Sequence, residues 1–443
     1  MIDLKKFREN PQPYIKGAKA KQEEVDFEKF IQLDEQLRNT QKQLDEINHQ
    51  IKLLSEKIKN SSPEEKQKLI NEVKTLKSKQ KELENNFRKI KEEHYQLWIK
   101  IPNPPAEDVP YWESDEDNVV VKIIWGKIID NSKKEDECYQ NWIESFKSAW
   151  VNPSKNPKPH WEILEKRALF DPQRWAKVAW SRFRYIRECL VLLELALINF
   201  VIDKLIKKWF SPTIWPNMVK EEAMLATWFF PAEKKQIYHV NPWEDDLYLI
   251  WTSEVTLVAQ HMNEILDIND LPLRYIWISP CYRREVWKSW KDIRGLIRLH
   301  QFEKVEMVSF VKPEDSRKEH EYLVSIEEEI YTDLWIPYRK MLICSWDLWA
   351  PAAKKYDLEA WMPGMKTFKE ITSCSNTTDY QARRGNIKFK NWKEKQFVHT
   401  LNGTAVAVQR VLAAITENYQ TDDLRIIVPK VLRKYILGGI EII

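Results

Sequence analysis

Apolar residues recur with alternating three- and four-residue spacing along two stretches of the chain. The first runs through Phe30, Leu33, Leu37, Leu44, Ile47, Ile51, Leu54 and Ile58, with Thr40 in a seam position. The second runs through Leu69, Val73, Leu76, Leu83, Phe87, Ile90 and Leu97, with Gln80 and His94 filling seam positions. This spacing predicts two heptad helices. Between them, Ser62 suits an N-cap, Pro63 the first helical position and Glu65 the far side of a capping box, so the pair folds back as an antiparallel hairpin. Ile101-Pro102-Asn103-Pro104-Pro105 ends the hairpin as a stiff linker, because proline cannot continue a helix.

Beyond the linker the period changes. Short β-like runs at Val119 to Ile124, Leu247 to Ile250, Tyr275 to Ile278 and Lys304 to Phe310 are interleaved with helical segments at Cys189 to Lys208 and Ser316 to Ile330. There is no regular βαβ rhythm, so the pattern predicts an α+β domain on an antiparallel sheet flanked by helices. The expected division is a helical arm over 1–100 and a larger domain over 101–443. The longest apolar stretch, Cys189 to Ile202, contains Glu194 and Asn199 and is too short to span a bilayer. It reads as a buried or interface helix.

Charge adds one local feature. The 70 basic and 67 acidic residues leave a formal charge of only +3, so any nucleic-acid contact must come from a local patch. From Lys52 to Lys91 there are 12 Lys or Arg against 6 Asp or Glu. A solvated coiled-coil surface accounts for this bias, and so does an arm that tracks a phosphate backbone. Five scattered cysteines (138, 189, 281, 344, 374) form no CxxC pair, which favours a reducing cytoplasm and argues against a cysteine zinc site. The opening MIDLKKFREN shows no apolar secretory segment.

Composition carries an anomaly. The chain has 21 Trp and 8 Gly, where about 7% glycine, roughly 31 residues, is usual. Trp180, Trp228, Trp251, Trp346 and Trp349 stand beside turn and polar residues, where a bare backbone is useful and an indole is not. The sequence therefore reads as a translation in which UGA codons became Trp although the source organism inserts Gly. Trp125, Trp161 and Trp361 read as true tryptophans. A genuinely Trp-rich chain is the alternative.

The densest chemistry lies between Leu271 and Glu306. Arg283-Arg284-Glu285 is followed, after a loop, by Arg294, Arg298, His300 and then Glu303-Lys304-Val305-Glu306. Arginines at one strand end and carboxylates on the returning strand can hold a triphosphate beside an amine. At this point the chain resembles the class II aminoacyl-tRNA synthetases, and closely the bacterial-type seryl-tRNA synthetase family, over essentially all 443 residues. The resemblance rests on the hairpin, the IPNPP linker, Trp180-Ser181-Arg182-Phe183, the Thr252-Ser253-Glu254 triplet and three ordered motifs. These are the helix to Lys208 leading to Pro216, Tyr282 through Glu306, and Leu401-Asn402-Gly403-Thr404 through Arg410.

The resemblance implies a ligase that activates L-serine with ATP and charges tRNA(Ser), with tRNA(Sec) as a further candidate, in a cytoplasmic homodimer without membrane attachment. It implies that Thr252, Ser253, Glu254, Glu306 and Thr404 hold serine. Arg283, Arg284, Glu285, Glu370, Ile371, Thr372, Ser373 and Arg410 would hold ATP, Arg283 and Arg410 being the catalytic cations. Glu370 and Ser373 would coordinate Mg2+. Most of the flagged Trp positions, with Trp287 and Trp290, are Gly in that family, whereas Trp98, Trp142, Trp150, Trp215 and Trp392 have no clear counterpart. Two other readings stay open: a ligase that loads an amino acid onto a carrier protein, and an inactive RNA-binding or coiled-coil paralog.

Overall fold

The computed structural model describes the chain apart from residues 112–113, 126–127, 130–141, 143–153, 155, 184, 286–293 and 393. Trp150, Trp287, Trp290 and Cys138 therefore lie outside the described residues. The chain divides into two compact units, Met1–Pro102 and Asn103–Ile443.

The first unit is built on the helices Phe27–Lys59 and Pro63–Trp98. Their seams meet as the heptads require: Phe30, Leu33, Thr40, Leu44 and Ile47 are buried on one helix and His94 on the other. Gln80 Nε2 donates to Asn48 Oδ1 at 2.7 Å and Lys29 pairs with Glu93 at 3.6 Å, which fixes the antiparallel sense. Glu65 accepts from the Ser62 backbone N–H at 3.4 Å and from its hydroxyl at 3.1 Å, closing the turn. Trp98 donates its indole N–H to the Ile2 carbonyl at 3.1 Å.

The second unit is organised by a nine-stranded sheet. In spatial order its strands are Ile128–Ile129, Val119–Trp125, Tyr338–Leu342, Lys354–Met362, Thr367–Asn376, His399–Ala407, Gln301–Val311, Leu273–Tyr282 and Ser211–Pro212. Every neighbouring pair is antiparallel except the last, where Ser211 and Pro212 run parallel beside Tyr275 and Ile276. Thr404 stands opposite Glu306 in this register.

Helices Ser316–Asp333 and Val408–Asn418 are packed into the core through Leu323, Val324, Ile330, Val411, Leu412 and Ile415. Successive strand residues point to opposite faces. Val305 and Met307 thus enter this core while Lys304 and Glu306 project from the other side. Asn103 anchors the start of the unit: its side-chain N–H group reaches the carbonyls of Pro351 and Thr377, each at 2.9 Å. Trp125 and Trp361 are buried, with ring centroids 6.0 Å apart, and both contact Phe368.

Candidate active site

Two cavities adjoin above the centre of the sheet and share Arg283, Lys304, Glu370, Ser373 and Arg410. The first, about 220 Å³, is lined by Glu285, Leu296, Phe302, Ile371, Thr372 and Gln409 in addition. The second, about 230 Å³, contains Thr252, Glu254, Glu306 and Asn402, and extends to Asp347, Lys355 and Asp357.

The end of the second cavity is a network of buried polar groups. Glu254 opens the helix Glu254–Ala259 and accepts hydrogen bonds from Gln381 Nε2 at 2.6 Å and Asn402 Nδ2 at 2.9 Å. Burial, followed by the like charge of Glu306, raises its pKa to about 7. Across the cavity, Lys304 Nζ lies 2.7 Å from Glu306 Oε2, and the Thr404 hydroxyl donates to the same oxygen at 3.1 Å. Asn402, Thr404, Lys304 and Glu306 reach this network because they alternate along adjacent antiparallel strands.

Where the cavities meet, the half-buried Arg283 holds its guanidinium 5.0 Å from the ring centroids of both Trp251 and Phe302. Its Nε has no partner among the described residues. Burial lowers its pKa, and the nearby Arg410 adds to the effect while Glu285 opposes it. A cation held this way has unused donors for an anionic ligand.

Arg410 donates to the Glu370 carbonyl at 2.9 Å and pairs with its carboxylate at 3.3 Å. The desolvation of Glu370 is outweighed by Arg410, Lys355 and Arg283, which hold its carboxyl at about 2. Glu370 therefore presents an ionised oxygen beside the Ser373 hydroxyl in the shared part of the cavities. Carboxylate and hydroxyl oxygens are hard donors suited to Mg2+, which commonly completes its shell with water and substrate phosphate. The two residues fit that ion.

The residues expected at the site divide into two groups. Thr252, Glu254, Glu306, Thr404, Arg283, Glu285, Glu370, Ile371, Thr372, Ser373 and Arg410 all line one or both cavities. Ser253 and Arg284 do not. Ser253 is fully buried, its hydroxyl 2.5 Å from that of Ser279, so it supports the floor of the site. Arg284 turns outward and donates to the Lys235 carbonyl at 3.2 Å. The structure also brings in Phe302, Lys304, Gln381 and Asn402. The i, i+2 pairs Lys304/Glu306 and Asn402/Thr404 carry a period-two signal that could have placed Lys304 and Asn402; Gln381 comes from a separate helix and has no such signal.

This antiparallel sheet, with an arginine at the junction of two cavities, one lined by further arginines and the other ending in paired carboxylates, defines a class II aminoacyl-tRNA synthetase core. Residues 238–419 match the tRNA synthetase class II core domain (G, H, P, S and T), and residues 1–105 match the seryl-tRNA synthetase N-terminal domain. The serine–tRNA ligase of Dictyoglomus turgidum is 41% identical over 443 residues, covering 98% of each chain. That of Pyrococcus horikoshii is 38% identical over 450 residues, covering 98% of this chain and 96% of its own. The crystal structure of seryl-tRNA synthetase from P. horikoshii complexed with ATP gives a TM-score of 0.88 at 36% identity, covering 100% of this chain and 99% of that one. The cytoplasmic serine–tRNA ligase from Naegleria fowleri in complex with AMP gives 0.82 at 30%, with coverages of 98% and 95%. The chain belongs to the seryl-tRNA synthetase family.

Proposed function

We propose that the protein activates L-serine with ATP and transfers the seryl group to the 3′ end of tRNA(Ser). The observation that carries this reading is Arg283, a half-buried cation whose buried Nε has no partner among the described residues, at the junction of the two cavities. From there it can contact both the serine carboxylate and the α-phosphate that the carboxylate attacks. Arg410 neutralises charge on the departing pyrophosphate, and Phe302 offers a face to adenine. Bound Mg2+, held by Glu370 and Ser373, would supply further positive charge to the phosphates. Glu254 and Glu306 receive the ammonium, and Thr252, Glu306 and Thr404 offer partners for the serine hydroxyl. Alanine would leave those groups unpaired. The alignment needs no protein nucleophile.

The N-terminal hairpin, with its excess of Lys and Arg between 52 and 91, suits the backbone of the tRNA, and its presence favours this reading over a carrier-protein ligase. We propose a bacterial type, which the 41% identity to the Dictyoglomus turgidum ligase supports, and a cytoplasmic setting, which the scattered cysteines support. A homodimer is supported by the apolar surface around the Cys189–Ile206 helix, where Leu195, Ile206 and Ile214 are exposed. The test is serine-dependent ATP–pyrophosphate exchange followed by charging of tRNA(Ser) and tRNA(Sec), with light scattering for the dimer. Absence of serine-dependent exchange from the folded chain would leave the inactive paralog as the better reading.

We also propose that many Trp positions are glycines in the working protein. Trp209, Trp228, Trp335 and Trp392 adopt φ of 66°, 84°, 55° and 55°, the left-handed region that glycine enters without strain. Trp228, Trp251 and Trp349 meet at the second cavity, with centroids 6.0 to 6.3 Å apart where each touches Trp349. The partnered Trp98 and the Trp125–Trp361 pair support tryptophan at those three positions. Peptide mass spectrometry of the native protein decides each position, and Trp at 228 and 251 would overturn the reading.

A further inference from the structure

The second cavity is larger than the serine contacts need. Past Glu370 and Ser373 it continues between Asp347, Lys355, Asp357, Ser375 and Thr377, none of which has a part in binding serine or ATP above. One atom in this extension lacks what its chemistry requires. Asp357 is only 6% exposed; Lys355 Nζ holds its Oδ2 at 3.0 Å, while Oδ1 has no hydrogen-bond partner among the described residues. A buried carboxylate oxygen left unpaired is costly, so it calls for a donor from a ligand. Asp347, its Oδ2 engaged by Asn118 at 3.0 Å, adds a second carboxyl group to the wall. Two aspartates against one lysine disfavour a phosphate and favour a neutral group rich in hydroxyls.

The proposed reaction brings one such group to this place. In the transfer step, an oxygen of the terminal tRNA ribose bonds to the seryl carbonyl carbon. The bond from that carbon to the phosphate oxygen breaks, its electron pair leaves on AMP, and the hydroxyl proton passes to a phosphate oxygen of the AMP. With ATP in the first cavity and the serine side chain at the Glu306 end, the extension offers an approach to the carbonyl. We infer that Asp357, held by Lys355, is a binding residue of the transfer step whose Oδ1 accepts a hydrogen bond from the 2′ hydroxyl of the terminal tRNA ribose. This rests on the activity proposed above and assigns a part of the site to its second half-reaction.

The experiment measures both half-reactions separately in the full chain. Asp357→Asn, whose oxygen faces Lys355 and whose NH2 takes the place of Oδ1, is expected to leave serine-dependent pyrophosphate exchange within about twofold, and to slow single-turnover transfer from preformed seryl-adenylate by about tenfold, the loss expected for one hydrogen bond. Ser375→Leu, which stands opposite Lys355 in the strand register and fills the extension while leaving the Asp357 carboxyl in place, is expected to act in the same direction and serves if Asp357→Asn does not fold. A tRNA ending in 2′-deoxyadenosine should slow transfer by the unaltered chain and add little to the Asp357→Asn defect. Equal losses in exchange and transfer, unchanged transfer, or additive effects of Asp357→Asn and the deoxy terminus would each overturn the inference. Failure of the unaltered chain to catalyse exchange is a different result, since it removes the proposed activity itself.

Discussion

Gln381 donates to Glu254 across 2.6 Å, joining the helix Tyr380–Gly385 to the first turn of the helix that carries the serine pocket. This bond favours the ionised carboxylate, but burial and Glu306 win and place its pKa at about 7. In the proposed role of Glu254, the serine ammonium needs that carboxylate ionised. Below pH 7 the free site must lose a proton as serine binds, so KM for serine should rise as pH falls, approaching about tenfold per unit. Glu254→Gln should bind serine weakly and flatten this dependence. An unchanged pH profile in pyrophosphate exchange for that variant would refute the assignment.

Arg410 and Glu370 form the second testable pair. Arg410→Ala should lower kcat/KM for ATP by about 100-fold, as removal of a preorganised transition-state donor does elsewhere. Ser373→Ala should retain more activity and raise the Mg2+ concentration needed for half-maximal exchange. Identical Mg2+ titrations for Ser373→Ala and the unaltered chain would remove Ser373 from the metal site.

His320 is a buried titration point remote from substrate chemistry. It is 2% exposed, its Nε2 faces the Cys374 carbonyl at 3.1 Å, and burial pushes its pKa down to about 4. The unfolded chain takes up this proton near pH 6.5 and the folded chain does not until about 4. The contribution of His320 is therefore lost as pH falls from 6.5 to 4, by about 3 kcal/mol in total. His320→Gln, which keeps an N–H donor, should lose less stability over this range in urea titrations; parallel losses would refute the account.

Trp209 isolates the backbone question from packing. It is 87% exposed with φ of 66°, so replacement sacrifices little buried surface. Trp209→Gly should stabilise the literal polypeptide by about 1 kcal/mol, the left-handed cost for a residue with a Cβ, whereas Trp209→Ala should not. Restoring glycine at all flagged positions should raise the melting temperature further. Equal melts for the literal and restored chains would count against both expectations.

The sequence exposed those parts of the fold whose two faces differ in polarity. The hairpin was legible from its seam because the outer faces of both helices are polar. The Gln301–Val311 and Leu273–Tyr282 strands were found in part, at Lys304–Phe310 and Tyr275–Ile278. Lys354–Met362 and Thr367–Asn376 lie centrally, with burial on both faces, and the polar residues they carry into the site obscure any apolar run. At the site, order singled out the run from Arg283 to Glu306, whereas Glu254, Glu370 and Arg410 entered only through the family resemblance. The inward turn of Asn402 and Gln381, and the outward turn of Arg284, depend on backbone direction at segments distant in sequence.

Lys304 places an ammonium group 2.7 Å from Glu306 on the wall of the second cavity. The protein thus keeps a resident counter-ion beside one of its two acids, and arriving serine meets an occupied electrostatic position. In the proposed serine pocket, binding resembles ion exchange: the substrate ammonium shares or takes over the partner of Lys304. A compact amine beside a small hydroxyl can make that exchange and satisfy Thr404 at once, so selectivity begins with competition against the protein's own side chain.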